Sequence, residues 1–368
     1  MVKVKMIEDD PIILATLAAK ISQTPFEKGD VFSLYEETKS NKEKAKDFVN
    51  QIMKNKGYLI FGDVLPYAIT LEDISRFAVI YFFRNVNVQN LVFGAGMEAS
   101  FRVVKASSFN EKLEFFGQEI FEIYEKALRA GIPEQDARYL LPGGVLTKMI
   151  FFAPPRYLLK LANELKNKSL SELQEIGEKI EMLVKERFGF EIPEEKLPSQ
   201  WDLWGQRRNK EVGYFRYSGS VHSISFKMEL RGSLAMYAQL VKKRQLMVDI
   251  EPLERIARRG KFVVPPSFTK EIREVYREKI AKRAKQKQLE LIERKDPNFV
   301  YFLLLGQETK SVVYGKGAGM IEVFKSESEL SQWEIRNVIG MIKKELAKYK
   351  ELSVQNSGLE NKYKSFII

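Results

Sequence analysis

A chain of 368 residues with 45% hydrophobic content has core enough for two domains of ordinary size. It has no cysteine and a single histidine, His222. This excludes disulfides, thiolate metal sites, a cysteine nucleophile and any serine–histidine or multi-histidine constellation, so no metal is expected. The formal net charge of +11 is uneven, because Glu254 to Lys295 alone carries 14 Lys and Arg against 6 Glu, an excess of +8.

In chain order, Val2 to Lys5 reads as a strand, and Pro11 opens a helix with Leu14, Leu17, Ala18 and Ile21 on one side. Lys39 to Lys54 is a charged helix with Ala45, Phe48, Val49 and Ile52 on one face, stopped near Gly57. A strand-like run, Tyr67 to Leu71, then passes through Asp73 and Ser75 into an apolar helix that ends at Arg84. Asn85 to Gly96 is expected to be a loop or hairpin. Its Gly94 and Gly96 lack the third glycine and the Lys-Ser/Thr of the known phosphate loops.

Glu111 to Ala130 is an amphipathic helix ended by Gly131 and Pro133, and Glu134 to Pro142 sets Arg138 just before an apolar stop. Ser169 to Glu186 is a further helix, and the proline-bearing, charged stretch 188–200 is the expected linker. Beyond it, Ser223 to Leu230 alternates at a period of two and runs through Ser233 into the apolar helix Leu234 to Val241, which stops at Lys242-Lys243-Arg244. Strand, polar cap, apolar helix and basic end thus occur twice, with Ile74-Ser75-Arg76 expected over Arg231-Gly232-Ser233 and Arg84 over Lys242. The basic stretch follows. It reads either as a polyanion-binding surface over 254–295 or as a solvated helix, and the interleaving of Glu271, Glu274 and Glu278 with Arg273, Arg277 and Lys282 favours the helix. Phe299 to Leu305 is an apolar strand or helix, and Ser326 to Tyr349 a capped amphipathic helix bearing Trp333 and Ile335. No apolar run approaches the roughly 18 residues that span a bilayer, and none follows Met1, so a cytoplasmic protein is expected.

These residues resemble the flavin-dependent thymidylate synthases. Gly57 to Arg76 aligns without a gap to the family's Gly-His-x-Ser-x-x-Glu-His strand and Ile-Ser-Arg, keeping Gly57, Glu72 and Ile74-Ser75-Arg76, with Tyr58 and Val64 at the His positions and Asp63 at the Glu. Phe82 to Val86 resembles Leu-Val-Arg-His-Arg with only Arg84 kept, Glu98 to Val103 resembles its Gln-Ser-x-Arg-Tyr with Ser100 and Arg102, and Ala137 to Pro142 resembles Ala-Arg-x-x-Leu-Pro. The second half is similar to the same family: Ala238 to Arg244 matches His-Gln-Leu-Val-Arg-His-Arg, and Ser331 to Arg336 matches Ala-Gln-Trp-Glu-Ile-Arg.

The resemblance implies an α+β fold of two similar halves, each a helix-flanked and mainly antiparallel sheet. They would be 1–187 and 201–368, the second with a basic helical insertion at 245–297. It implies a protein that binds FAD and dUMP and makes dTMP from methylenetetrahydrofolate and NADPH, without a cysteine nucleophile. Gln239, Ser100, Arg102 and Arg138 would face dUMP, and Arg84 and Arg244 the flavin phosphates. The family's uracil-activating Arg falls near Leu165 in one half and Ser326 in the other, so no catalytic residue is assigned. The alternative is an inactive descendant that binds nucleotide or nucleic acid as a scaffold. Family members are homotetramers, so a fused chain is expected to form a homodimer.

Overall fold

The computed structural model describes residues 10, 12–14, 16–17, 20, 31–45, 47–48, 67–88, 95–98, 106–188, 215–216, 225–243, 246–316 and 332–341. The fold is α+β, with small antiparallel sheets and flanking helices. The chain gathers into two compact units: 1–70 with 93–96 and 150–200, and 71–92 with 97–149 and 201–368. The expected strand at Val2 to Lys5 and the linker 189–200 lie outside the described residues.

In the first unit, α1 (Val31–Lys39) packs Tyr35 and Leu34 against Ile13 and Leu17. The helix expected from Lys39 to Lys54 begins instead at residue 42, under the Asn41 side chain, which accepts from Lys44 N; Lys39 is the last residue of α1, and residues 49–54 lie outside those described. α4 (Pro155–Lys166) and α5 (Ser171–Phe188) form a helical hairpin, burying Leu158, Leu161, Ala162 and Leu165 against Leu173, Ile176 and Ile180. Gly177 permits the close approach, since a Cβ there would stand 2.7 Å from the Ala162 carbonyl oxygen.

Two strand–helix–strand–helix–strand series organise the rest. The first is β1 (Tyr67–Ser75), α2 (Arg76–Val88), β2 (Ala95–Glu98), α3 (Glu114–Arg129) and β3 (Leu146–Ala153). The second is β5 (Ser225–Ser233), α6 (Leu234–Leu240), β6 (Leu246–Ile250), a helical stretch and β7 (Glu308–Lys316), with β4 (Phe215–Arg216) added at the edge of β5. That stretch comprises α7 (Leu253–Arg259), α8 (Lys270–Val275) and α9 (Lys282–Glu293), the last two joined through a π-helical turn, Tyr276–Ala281. Strand order is β1-β3-β2 in one sheet and β4-β5-β7-β6 in the other, so the last strand of each series lies between the first two. β7 runs antiparallel to β5 from Ser225↔Lys316 to Ser233↔Glu308, and to β6 from Leu246↔Gly315 to Ile250↔Ser311.

Both strand–helix junctions close in the same way. Ser75 Oγ accepts from Ala78 N at 3.0 Å, and Ser233 Oγ from Met236 N at 3.0 Å. The next two amides of each helix bond to a returning turn: Arg76 N to Val145 O and Phe77 N to Gly143 O, Leu234 N to Gln307 O and Ala235 N to Leu305 O. Ser75 therefore corresponds to Ser233, one residue on from the register expected, and Arg84 to Lys242 as expected. α2 is apolar on every side from Phe77 to Phe83, and that run is buried, as a stretch of helix without a polar face must be. It also runs on to Val88, and β2 begins at Ala95, so the expected loop over Asn85 to Gly96 is helix at one end and strand at the other.

The two returning turns hold each other. Gly143 N donates to Leu303 O at 2.7 Å and Gly144 N to Tyr301 O at 3.0 Å; reciprocally, Leu305 N donates to Leu141 O at 2.8 Å and Gly306 N to Tyr139 O at 3.1 Å. Pro142 bridges Leu304 at the centre. Every bond maps onto its mate by a shift of 162 residues, 143 to 305 and 144 to 306, which is the signature of a local two-fold axis through this bridge. Each turn is preceded by a helix, α3 in one series and α9 in the other, and the two meet through the Arg283–Glu119 ion pair; α3 also meets α8 through Lys126–Glu271, and the 3-10 turn Pro297–Phe302 through the Phe116–Phe302 ring pair at 5.6 Å. The basic stretch is thus helical and laced with pairs such as Lys282–Glu278 and Arg258–Glu254. Among the described residues, no helix is long and apolar enough to cross a membrane.

Candidate functional site

The second unit brings polar groups from both series to one place. Arg138 sits on the single 3-10 turn Arg138–Leu140 that leads into the first returning turn, and Gln239 lies near the end of α6. Arg138 Nη2 donates to Gln239 Oε1 at 3.4 Å, and the two residues are 3% and 7% exposed. One turn beyond Gln239, Lys242 Nζ pairs with Glu98 Oε1 at the end of β2, and Arg76 Nη1 pairs with Glu98 Oε2. Lys242 also lies 5.2 Å over the Phe83 ring.

A carboxylate held by two cations in a buried place has its titration set by them. Burial alone would push Glu98 up, but Arg76 and Lys242 hold its carboxyl below the ordinary value. Burial and the nearby Arg76 guanidinium pull the Lys242 ammonium down to about 8, against the attraction of Glu98. The mirror contact is looser: Arg84, at the matching place on α2, has its Nη2 3.9 Å from Asp249 Oδ1 on β6. Arg84 reaches the second series and Lys242 reaches the first, so the exchange is reciprocal.

The profile of the thymidylate synthase complementing protein family matches residues 5–188, half of the chain. The chain belongs to that family. Two crystal structures of thymidylate synthase X from Helicobacter pylori, each with FAD and dUMP, are similar to it at 16% identity and a TM-score of 0.37; they cover 49% and 48% of this chain and 96% and 95% of their own. No curated protein matches the chain significantly.

In this chain, Arg138 and Gln239 are brought together and Arg84 is set apart from them on Asp249. Ser100, Arg102 and Arg244 lie outside the described residues. Sequence reasoning did not single out Glu98, although it opens the Glu98 to Val103 motif, because a carboxylate in a motif does not reveal which cations surround it. It also passed over Glu334, on the helix α10 (residues 333–341), for the same reason.

Glu334 is 6% exposed, and four hydrogen bonds converge on it. Ser233 N donates to Oε1 at 3.0 Å, Gln332 Nε2 to Oε2 at 3.3 Å, and the Ser233 and Tyr139 hydroxyls both donate to Oε2. Gly232 leaves the room for this, since a Cβ there would stand 2.9 Å from Glu334 Oε1. Burial raises the Glu334 carboxyl above its ordinary value, against the lowering by its Ser233 and Tyr139 hydrogen bonds. Tyr139 adjoins Arg138, and Ser233 caps the helix that carries Gln239. One carboxylate therefore ties together the two segments that form the site.

Proposed function

We propose that this chain is a flavin-dependent thymidylate synthase-like protein that binds FAD, and dUMP in a composite site assembled from its two halves. The observation that carries the reading is the Arg138–Gln239 contact, in which a residue of the first half's Ala-Arg-x-x-Leu-Pro segment meets one from the second half's Gln-Leu-Val segment. A guanidinium fork is suited to a phosphate, and a carboxamide presents both a donor and an acceptor to the imide edge of a pyrimidine. The likeness of the family motifs supports duplication of a subunit-like half. It also supports a homodimer as the assembly, which sedimentation would test.

For FAD, the supporting residue is Arg84, a buried cation at the position of the family's flavin-phosphate Arg, with Arg244 as its expected companion. When bound, the flavin would supply the hydride that reduces a transferred methylene. A second reading, a descendant that binds nucleotide without turnover, is favoured by Leu165, which is fully buried and apolar where the family's uracil-activating Arg falls in the first half.

Two measurements test the proposal. Protein purified with bound oxidised flavin would absorb in the visible, and calorimetry with dUMP, with and without FAD, would show saturable binding. Each charged hydrogen bond to the phosphate contributes roughly 1.5–3 kcal/mol, so Arg138→Ala is expected to weaken dUMP binding by about ten- to a hundred-fold. An absence of saturable heat under any flavin condition would remove the nucleotide reading. Binding without formation of dTMP would select the non-catalytic reading.

A further inference from the structure

The reciprocal turns imply that the arrangement at Arg138 and Gln239 occurs a second time with the halves exchanged. Under the shift that relates the turns, 138 maps to 300; under the shift that relates the caps, 75 to 233, position 239 maps back to 81. The counterparts are Val300 and Tyr81, both 0% exposed. Arg76 likewise maps to Leu234, which is 4% exposed. Only the ion pair survives the exchange, with Arg84–Asp249 answering Lys242–Glu98.

Where one place offers two guanidinium groups and a carboxamide, the other is packed with two aliphatic side chains and a phenol ring. A phosphate dianion brought there would lose its hydration and gain at most the Tyr81 hydroxyl from these three positions, a cost that disfavours binding.

Resting on the nucleotide reading of the Arg138–Gln239 site, we infer that the chain has one nucleotide site in place of the two that its pseudo-symmetry would generate, because Leu234, Val300 and Tyr81 stand where the second would need its guanidinium and carboxamide groups. This asymmetry explains how each half can lack family residues while the chain keeps a working set. A homodimer of this chain would carry two nucleotides, where four unfused subunits of a symmetric assembly would carry four.

Equilibrium dialysis with labelled dUMP, in the presence of FAD, tests the inference. Binding is expected to saturate at one dUMP per chain. Arg138→Ala and Gln239→Ala should each lower the affinity at least tenfold, while Tyr81→Phe should leave both stoichiometry and affinity unchanged. Arg138→Lys, with its melting temperature checked against wild type, serves if the alanine variant does not fold. Two dUMP per chain would overturn the site count and leave the nucleotide reading standing. A single site that survives both Arg138 and Gln239 substitution would also overturn it, and no saturable binding at all would overturn both.

Discussion

Glu98 is the residue on which the charge balance of the site turns, because its side chain is 2% exposed and two cations depend on it. Glu98→Gln would remove the charge that buried Arg76 and half-buried Lys242 share, and is expected to destabilise the fold by about 1–3 kcal/mol in urea titrations. The carboxyl is held low, so its contribution is present above the unfolded value of 4.5 and is lost as pH falls through the folded value. Lys242 has a dependence of the same sign, in a higher pH window. With a folded value of about 8 against 10.5 unfolded, the unfolded chain binds more protons between those limits, and stability rises with pH across that window. Wild type should therefore gain on Lys242→Met between pH 8 and 10.5 in denaturant titrations, and a constant difference would count against the buried, depressed ammonium. The sequence showed Arg138 and Gln239 as members of motifs. It did not show that Glu98 joins Arg76 to Lys242, since that depends on how β2 and α6 converge.

The strand–cap–helix unit was legible as an element, because period-two alternation, a Ser cap and an apolar run are local signals. Its exact pairing across the halves was not. Two consecutive small residues, Gly232 and Ser233, left the register open by one position, and only the side-chain bonds to Ala78 N and Met236 N decide it. Ser233 both caps α6 and donates to Glu334, so Ser233→Ala is expected to cost about 1 kcal/mol for the cap and about 1.5 kcal/mol or more for the charged hydrogen bond. Glu334→Ala would strand the Ser233 amide and the Ser233 and Tyr139 hydroxyls, with an expected loss of about 3 kcal/mol by thermal melting. A loss within 0.5 kcal/mol, by the usual scatter of surface substitutions, would show that the carboxylate does not hold α6 to the Arg138 turn. The basic stretch 254–295 is helical and ion-paired as read, but the helical insertion expected over 245–297 starts too early, since Leu246–Ile250 is β6, paired with β7. That α9 precedes its returning turn as α3 precedes the other was hidden by their unlike compositions.

At the scale of the molecule, the α+β class and the family were carried by scattered motifs, whereas the reciprocal turns had no sequence signal. Ala137 to Val145 and Phe299 to Gln307 share little beyond Tyr139 and Tyr301, Leu141 and Leu303, and Gly144 and Gly306. Gly144 and Gly306 are retained because a Cβ at either would crowd the facing Tyr301 or Tyr139. Through these turns the second unit holds Arg138 of the first series against Gln239 of the second. The most direct test of that composite site is a double-mutant cycle on dUMP affinity with Arg138→Ala, Gln239→Ala and the pair. Two residues of one site should couple, with the double variant losing less than the sum by about 0.5–3 kcal/mol; losses that add to within about 0.5 kcal/mol would place Arg138 and Gln239 in separate functions and contradict the account.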